Sequence, residues 1–222
     1  VNDPVVVVAA TDEVLRDPAA GPHLLTGQER ARLGSFGSES GRRDFIAAHL
    51  LVRLCAARLL GTGPAQVSFG QFCPGCHATD HGRPLLTDRP DIHLSTSHTA
   101  GVVAAAAGHA PVGVDVERYG RQRSAALMRR VLAPAEFALV TEHPDPRHAF
   151  LRLWTRKEAL IKVGRATIDS LAAVDLSPFP LDGKNEPFRY ENCWVTDLPD
   201  PGLDVVAAVA VQPPEGCDGI TD

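Results

Sequence analysis

Between residues 112 and 117 the chain alternates valine with something else. Val112, Val114 and Val116 take one side of the alternation, and Gly113, Asp115 and Glu117 take the other. A period of two predicts a strand, because successive side chains of a strand point to opposite faces. The strand would have an apolar face and a face carrying two carboxylates about 6.6 Å apart along the chain, at ~3.3 Å per residue. A helical period governs other stretches. Phe45, Leu50, Leu51, Leu54, Leu59 and Leu60 mark one face of a long helix closed by Gly61. TGQERARLGSF reads as a short helix capped by Thr26. The run VVVV, then VSFGQF and HLSTSHT, read as strands, VVVV as a buried one. GVVAAAAG and VGVDVE read as a hairpin around GHAP, and CPGCHATDHGRPLLTDRPD as a loop. The second half offers helices at LAPAEFALV and HAFLRLWTRKEALIKVG, the latter ending near Gly164. Strands are expected there at LAAVDLS, FRYENCWVTDL and LDVVAAVAVQ.

Each half therefore supplies a long helix and several strands, which implies an α+β fold of two lobes, residues 1–110 and 111–222. The 222 residues are enough for a sizeable core, and 44% are hydrophobic. A net charge of −5 argues against a nucleic-acid binder that relies on a basic surface. The longest apolar run, Val102 to Ala107, is too short to span a bilayer, and the start of the chain lacks a basic leader, so a cytoplasmic protein without membrane contact is expected. Five irregularly spaced cysteines do not make a disulfide framework, and Cys55 belongs to an apolar helical pattern. The tail PPEGCDGITD reads as frayed.

Two acids on one strand face are most simply a solvated face. The sharper reading is a divalent cation site, since hard cations take carboxylate oxygens. Glu158 and Lys162 stand four apart on the second long helix and share a face, which by itself describes an ordinary surface ion pair. Phe150, Trp154 and Ile161 form a stripe read as core. His98 lies among hydroxyls in STSHT, where it and Ser97 could donate to a phosphate.

Taken together and in order, an Arg-Arg pair before a long helix, H-G-R-P, S-x-S-H-T, G-V-D-V-E and W-T-x-K-E-A-x-x-K resemble the 4′-phosphopantetheinyl transferase superfamily, of the two-lobed type that activates surfactin synthetase. The resemblance spans roughly residues 25 to 170. It implies a pseudo-twofold pair of lobes, each a small antiparallel sheet packed with a long helix, and an active site between them. It implies that Asp115, Glu117 and Glu158 hold Mg²⁺, or Mn²⁺, against the pyrophosphate of coenzyme A. Lys162 and His98 match positions that contact phosphate oxygens, with Ser97 beside them and Lys157 adding charge. Arg83 and Pro84 match the basic loop near the nucleotide. Arg43, with Arg42 as the alternative register, matches a contact on the 3′-phosphate side. S-T-S-H-T replaces the family's common N-x-S-H-S, which keeps hydrogen-bonding capacity but leaves the local geometry open.

The implied reaction moves 4′-phosphopantetheine from coenzyme A to a serine of an apo acyl or peptidyl carrier protein and releases 3′,5′-ADP. The catalytic set is Glu158, Lys162, His98 and Asp115, with Glu158 the first choice of base, directly or through a metal-bound water, and a water relay or Glu136 the alternatives. Abundant Ala, Gly, Pro and Arg with scarce Lys suggest a high-G+C bacterial coding sequence, and so polyketide or nonribosomal-peptide carriers. Carriers are usually acidic, and RYGRQRSAALMRR offers Arg118, Arg121, Arg123, Arg129 and Arg130, with Leu127 and Met128 as apolar anchors. Two lobes in one chain would complete the site in a monomer. A coenzyme A or nucleotide phosphohydrolase, and a carrier-binding homologue without catalysis, stay as alternatives. Cys73, Cys76 and His77 have the spacing of covalent haem attachment, which the context rejects. A zinc knuckle of Cys73, Cys76 and either His77 or His81 lacks a second cysteine pair, so a plain loop is preferred.

Overall fold

The computed structural model describes residues 3–120, 124–182 and 185–214. Its strands form two antiparallel sheets. The first holds β1 (Val5–Ala10), β2 (Phe69–Phe72), β3 (Arg83–Leu86), β4 (His93–Thr99) and β5 (Val102–Gly108), in the order β1-β5-β4-β3-β2. The second holds β6 (Val112–Arg118), β7 (Phe188–Tyr190), β8 (Cys193–Leu198) and β9 (Val205–Val211), in the order β6-β9-β8-β7. Helix α3 (Glu39–Leu60) packs on the first sheet and α6 (Pro146–Val163) on the second. Shorter helices α1 (Thr11–Arg16), α2 (Gly27–Arg32), α4 (Ala125–Val131) and α5 (Pro134–Glu142) complete the set used below. The expected α+β architecture, a sheet and a long helix in each lobe, is what the chain adopts.

Strand β5 explains how the lobes meet. Val103, Ala105 and Ala107 pack with Leu50, Leu51 and Cys55 of α3. Val102, Ala104 and Ala106 face the other way, against Val112, Val114 and Val116 of β6 and Val205, Ala207 and Val209 of β9. The strand is buried on both faces, and its alanines let α3 and the second sheet both come close. The α3 core also swallows the Cys55 thiol, which burial pushes up to about 12.

Local signals set the helix ends. Thr26 Oγ1 accepts from the Glu29 amide at 3.2 Å, and Glu29 Oε2 accepts from the Thr26 amide at 2.6 Å, a reciprocal cap for α2. Glu29 also turns inward to His49 at 2.5 Å and Arg53 at 2.6 Å on α3. Burial alone would raise the Glu29 carboxyl, but the His49 and Arg53 hydrogen bonds outweigh it and hold it at about 2. Gly61 and Gly164 close α3 and α6 at φ +66° and +92°, in the left-handed region that glycine enters freely.

Five sequence expectations need correction. β5 and β6 are not a hairpin: β5 pairs with β1 and β4, β6 pairs with β9, and the chain crosses between sheets at residues 109–111. β3 lies inside the stretch read as loop, where it closes the first sheet between β2 and β4. LAAVDLS is not a strand; its start belongs to a 3-10 helix, Ile168–Ala173, and Leu171, Val174 and Leu176 pack into the α6 core. FRYENCWVTDL is two strands that reverse at Glu191, with φ +53°, and Asn192. The VVVV run is the edge strand β1 and is half-buried rather than buried.

Candidate functional site

The second sheet and α6 touch at one close point. A Cβ on Gly113 would strike the Ala159 carbonyl oxygen and sit 2.9 Å from Lys162 Cβ and 3.0 Å from Val163 N. Only glycine lets the helix lie on the strand here. The contact brings the last turns of α6 over the acidic face of β6, on the side away from the valines.

Lys162 Nζ donates to the Val114 carbonyl and to Asp115 Oδ1, both at 2.8 Å. Ser97 Oγ donates to the same Asp115 oxygen at 2.7 Å. Asp115 Oδ2 is buried and has no hydrogen-bond partner among the described residues. Trp154 Nε1 donates to Glu117 Oε1 at 3.2 Å. Glu158 is half-buried, and its carboxyl is pushed up by desolvation, by the Asp115 charge and, more weakly, by that of Glu117, against the pull of Lys162. Three acids thus face one region, one with an orphaned buried oxygen and one destabilised by its neighbours. Their hard oxygen donors suit a divalent cation such as Mg²⁺. Their ligand atoms are not all within 4.8 Å of one another.

Strand β4 supplies the opposite wall. Its register on β5 turns Ser95, Ser97 and Thr99 toward the second lobe and Leu94, Thr96 and His98 toward α3. Ser95 Oγ accepts from Val114 N at 3.0 Å, and Thr99 Oγ1 accepts from Arg118 N at 3.4 Å. β4 and β6 therefore join through hydroxyls rather than a backbone ladder. Below them opens a cleft of about 690 Å³ lined by Arg83, Pro84, Leu94, Pro111, Val112 and Lys162, among others. Arg83 Nη2 crosses to the Ile161 carbonyl at 3.2 Å, tying β3 to the end of α6.

The expected residues separate into groups. Asp115, Glu117, Glu158, Lys162 and Ser97 come together, and Arg83 and Pro84 line the adjoining cleft. Ser97, expected near a phosphate, instead spends its proton on Asp115. His98 is exposed on the α3 face, where desolvation lowers its imidazole while the Asp44 charge opposes that shift. Arg43, half-buried on α3, pairs with Asp12 at 2.6 Å; Arg42 pairs with Glu39 at 2.5 Å. Lys157 does not reach this site. Its side chain is wholly buried and donates to Glu136 Oε2 at 2.5 Å, Leu171 O at 2.8 Å and Val131 O at 2.9 Å. Glu136, the alternative base, is spent in that same pair and on the Ala133 and Leu176 amides. Met128 is buried against the α6 core and is no surface anchor, whereas Arg129 and Arg130 are exposed. Arg121 and Arg123 lie outside the described residues, as does most of the tail.

Sequence reasoning missed Trp154 as a Glu117 partner, having read it as core, and missed Ser95 and Gly113. The signals were present: Trp154 sits four before Glu158, Ser95 two before Ser97, and Gly113 two before Asp115, each on the functional face.

The sequence profile of the 4′-phosphopantetheinyl transferase superfamily matches residues 111–196. The chain is 30% identical over 207 residues to the 4′-phosphopantetheinyl transferase HetI of Nostoc sp., covering 89% of this chain and 81% of that protein. It is 25% identical over 205 residues to a 4′-phosphopantetheinyl transferase of Bacillus subtilis, covering 88% and 86%. With the Sfp protein of Bacillus subtilis it shares 23% identity over 141 residues, 63% of this chain and 59% of that one. No helix among the described residues is long and apolar enough to cross a membrane.

Proposed function

The chain belongs to the 4′-phosphopantetheinyl transferase superfamily, enzymes that place a phosphopantetheine arm on carrier proteins, and we propose that its donor is coenzyme A and its acceptor a serine of an apo acyl or peptidyl carrier. The observation that carries the active-centre assignment is the buried, partnerless Asp115 Oδ2 facing two further acids. Asp115, Glu117 and Glu158 would hold Mg²⁺, with Mn²⁺ as a substitute. When bound, the ion would neutralise pyrophosphate charge and the charge that develops on the leaving group.

The rest falls to the chain's own side chains. Lys162 fixes one oxygen of Asp115 and the Val114 carbonyl, which leaves one N–H of its ammonium for a phosphate oxygen. Ser97 holds Asp115 from the other lobe, so the strand acid is aimed by both lobes, residues 1–110 and 111–222. Trp154 orients Glu117. Arg83 and Pro84 wall the cleft, and His98 and Arg43, both on the α3 side, serve the 3′-phosphate end. The carrier's serine oxygen attacks the β-phosphorus of coenzyme A. A new oxygen–phosphorus bond forms, the bridging oxygen leaves with 3′,5′-ADP, and the serine proton passes to the Glu158 carboxylate.

The coding composition favours polyketide or nonribosomal-peptide carriers, and two lobes in one chain favour a monomer. The test is intact-mass spectrometry of an apo carrier incubated with coenzyme A, Mg²⁺ and the protein. A gain of one phosphopantetheine, slowed about 10²- to 10³-fold with Asp115→Asn, is the expected result. Release of 3′,5′-ADP without carrier modification would replace this reading with a phosphohydrolase.

A further inference from the structure

The stretch between β2 and β3 is ten residues, 73–82, none of them buried and none part of a hydrophobic core. A loop without a core needs another staple, and metals serve small motifs in that way. Ligand atoms of Cys73, Cys76 and His81 lie within 4.8 Å of one another, the only such triple of His, Cys, Asp or Glu among the described residues. We propose that Cys73, Cys76 and His81 form a zinc site with three protein ligands, a thiolate-rich centre separate from the carboxylate site that faces α6.

The geometry matches the chemistry. Cys76 Sγ stands 3.3 Å from His81 Nε2. Two ligands of a tetrahedral zinc, at ~2.3 Å for sulfur and ~2.1 Å for nitrogen, stand about 3.6 Å apart. The other ring nitrogen, His81 Nδ1, is held by Asp80 Oδ1 at 2.7 Å, the carboxylate–histidine arrangement that turns Nε2 toward a metal. The loop is folded back for the purpose. His77 N donates to the Cys73 carbonyl at 2.8 Å, and Cys73 N to the Ala78 carbonyl at 2.9 Å, which brings the two cysteines to one side. His77 does not belong to the set: its backbone takes φ +61° and its ring lies 5.9 Å from that of Phe72. Two thiolates and one imidazole select a borderline-soft ion over magnesium, and the fourth position is left to water.

The sequence favoured a plain loop because it lacked a second cysteine pair. Of the two histidines the sequence left open as third ligand, the structure brings His81 to the cysteines, already oriented by a carboxylate. Gly82 follows at φ +106°, where a Cβ would strike the Phe72 carbonyl, and leads directly into Arg83. An ion at this point would brace the start of β3 and so hold Arg83 on the Ile161 carbonyl beside Lys162.

The test needs no transferase activity. Full-length chain without a polyhistidine tag, prepared under reducing conditions, is analysed for metal by mass spectrometry and then reconstituted with Co²⁺. One zinc equivalent per chain is expected, and a cobalt spectrum with thiolate charge-transfer and tetrahedral bands. Cys76→Ser should lose both while keeping its far-ultraviolet circular dichroism, and Asp80→Asn should weaken zinc binding about 10- to 100-fold. If the serine variant fails to fold, the wild-type cobalt spectrum decides, because charge-transfer intensity scales with bound thiolates and two are required. No retained zinc and no thiolate band in the wild type would overturn the site. So would a band unchanged in Cys76→Ser.

Discussion

Asp115 and Asp197 occupy one face of one sheet, with only Ala208 between them in the cross-strand row. Both are buried, yet their surroundings differ. Asp197 is clamped by two arginines of α6: Arg156 Nε reaches Oδ1 at 2.8 Å, Arg156 Nη2 reaches Oδ2 at 2.7 Å, and Arg152 Nη1 also bonds Oδ2. Asp115 receives Lys162 and Ser97 on a single oxygen and leaves the other bare. A buried carboxylate whose oxygens are all answered is structure. One left half-answered in a cleft, beside two more acids, keeps a place for a ligand.

The comparison breaks first at Asp197. Asp197→Ala leaves two arginines buried without their partner, and a loss of about 3–5 kcal/mol is expected, read by urea unfolding. An unchanged midpoint would remove the distinction between the two acids. Asp115→Asn should do the opposite. Its midpoint stays level or rises, while carrier modification falls about 10²- to 10³-fold, on the scale of losing one preorganised electrostatic contact.

Glu29 sharpens the contrast through pH. Its carboxyl is held at about 2, below the ordinary 4.5. A depressed folded-state value means stability is present above the unfolded value and is lost as pH falls from about 4.5 toward 2. The difference is worth up to about 3 kcal/mol. Glu29→Gln should flatten the acid limb of the stability–pH curve; a limb of unchanged steepness would count against the network. Gly113→Ala should cost about 1–3 kcal/mol as α6 lifts from β6, and should lower transfer with it. Wild-type activity from this variant would show that the close approach does not place Lys162. The smallest effect is expected at the exposed Arg129 and Arg130. Reversing both charges should raise KM for an acidic carrier several-fold with kcat kept, since rim charges act mainly on encounter. An unaltered KM would place docking elsewhere.

Much of this was readable in the chain because it is periodic. The valine alternation put Asp115 and Glu117 on one face, and the four-residue step put Glu158 with Lys162. Lys157 was misplaced because its neighbours in sequence are functional. Its position on the helix is four after Leu153 and three before Leu160, which is the buried stripe, and the structure buries it there. Glu136 was misplaced for a similar reason: a free-looking acid in LAPAEF caps the start of α5, its carboxylate accepting from the Ala133 amide at 2.7 Å. What no period could reveal is pairing across long separations. Ser97 on Asp115, Arg83 on Ile161 and the assignment of β5 and β6 to different sheets depend on how two lobes meet, and neither lobe's pattern encodes the other's.

The alanines of β5 carry a last consequence. From Ala104 to Ala107 only methyl groups stand between the strand and its neighbours on either face, so main-chain geometry sets the spacing of the lobes there. Enlarging Ala104 or Ala106 would act as a shim and swing Ser97 away from Asp115 along with the whole of β4. Adaptation to bulkier or smaller donors must then come from the rim, where Leu85, Pro90 and His93 line the cleft, while the hinge line between the lobes stays fixed in gauge.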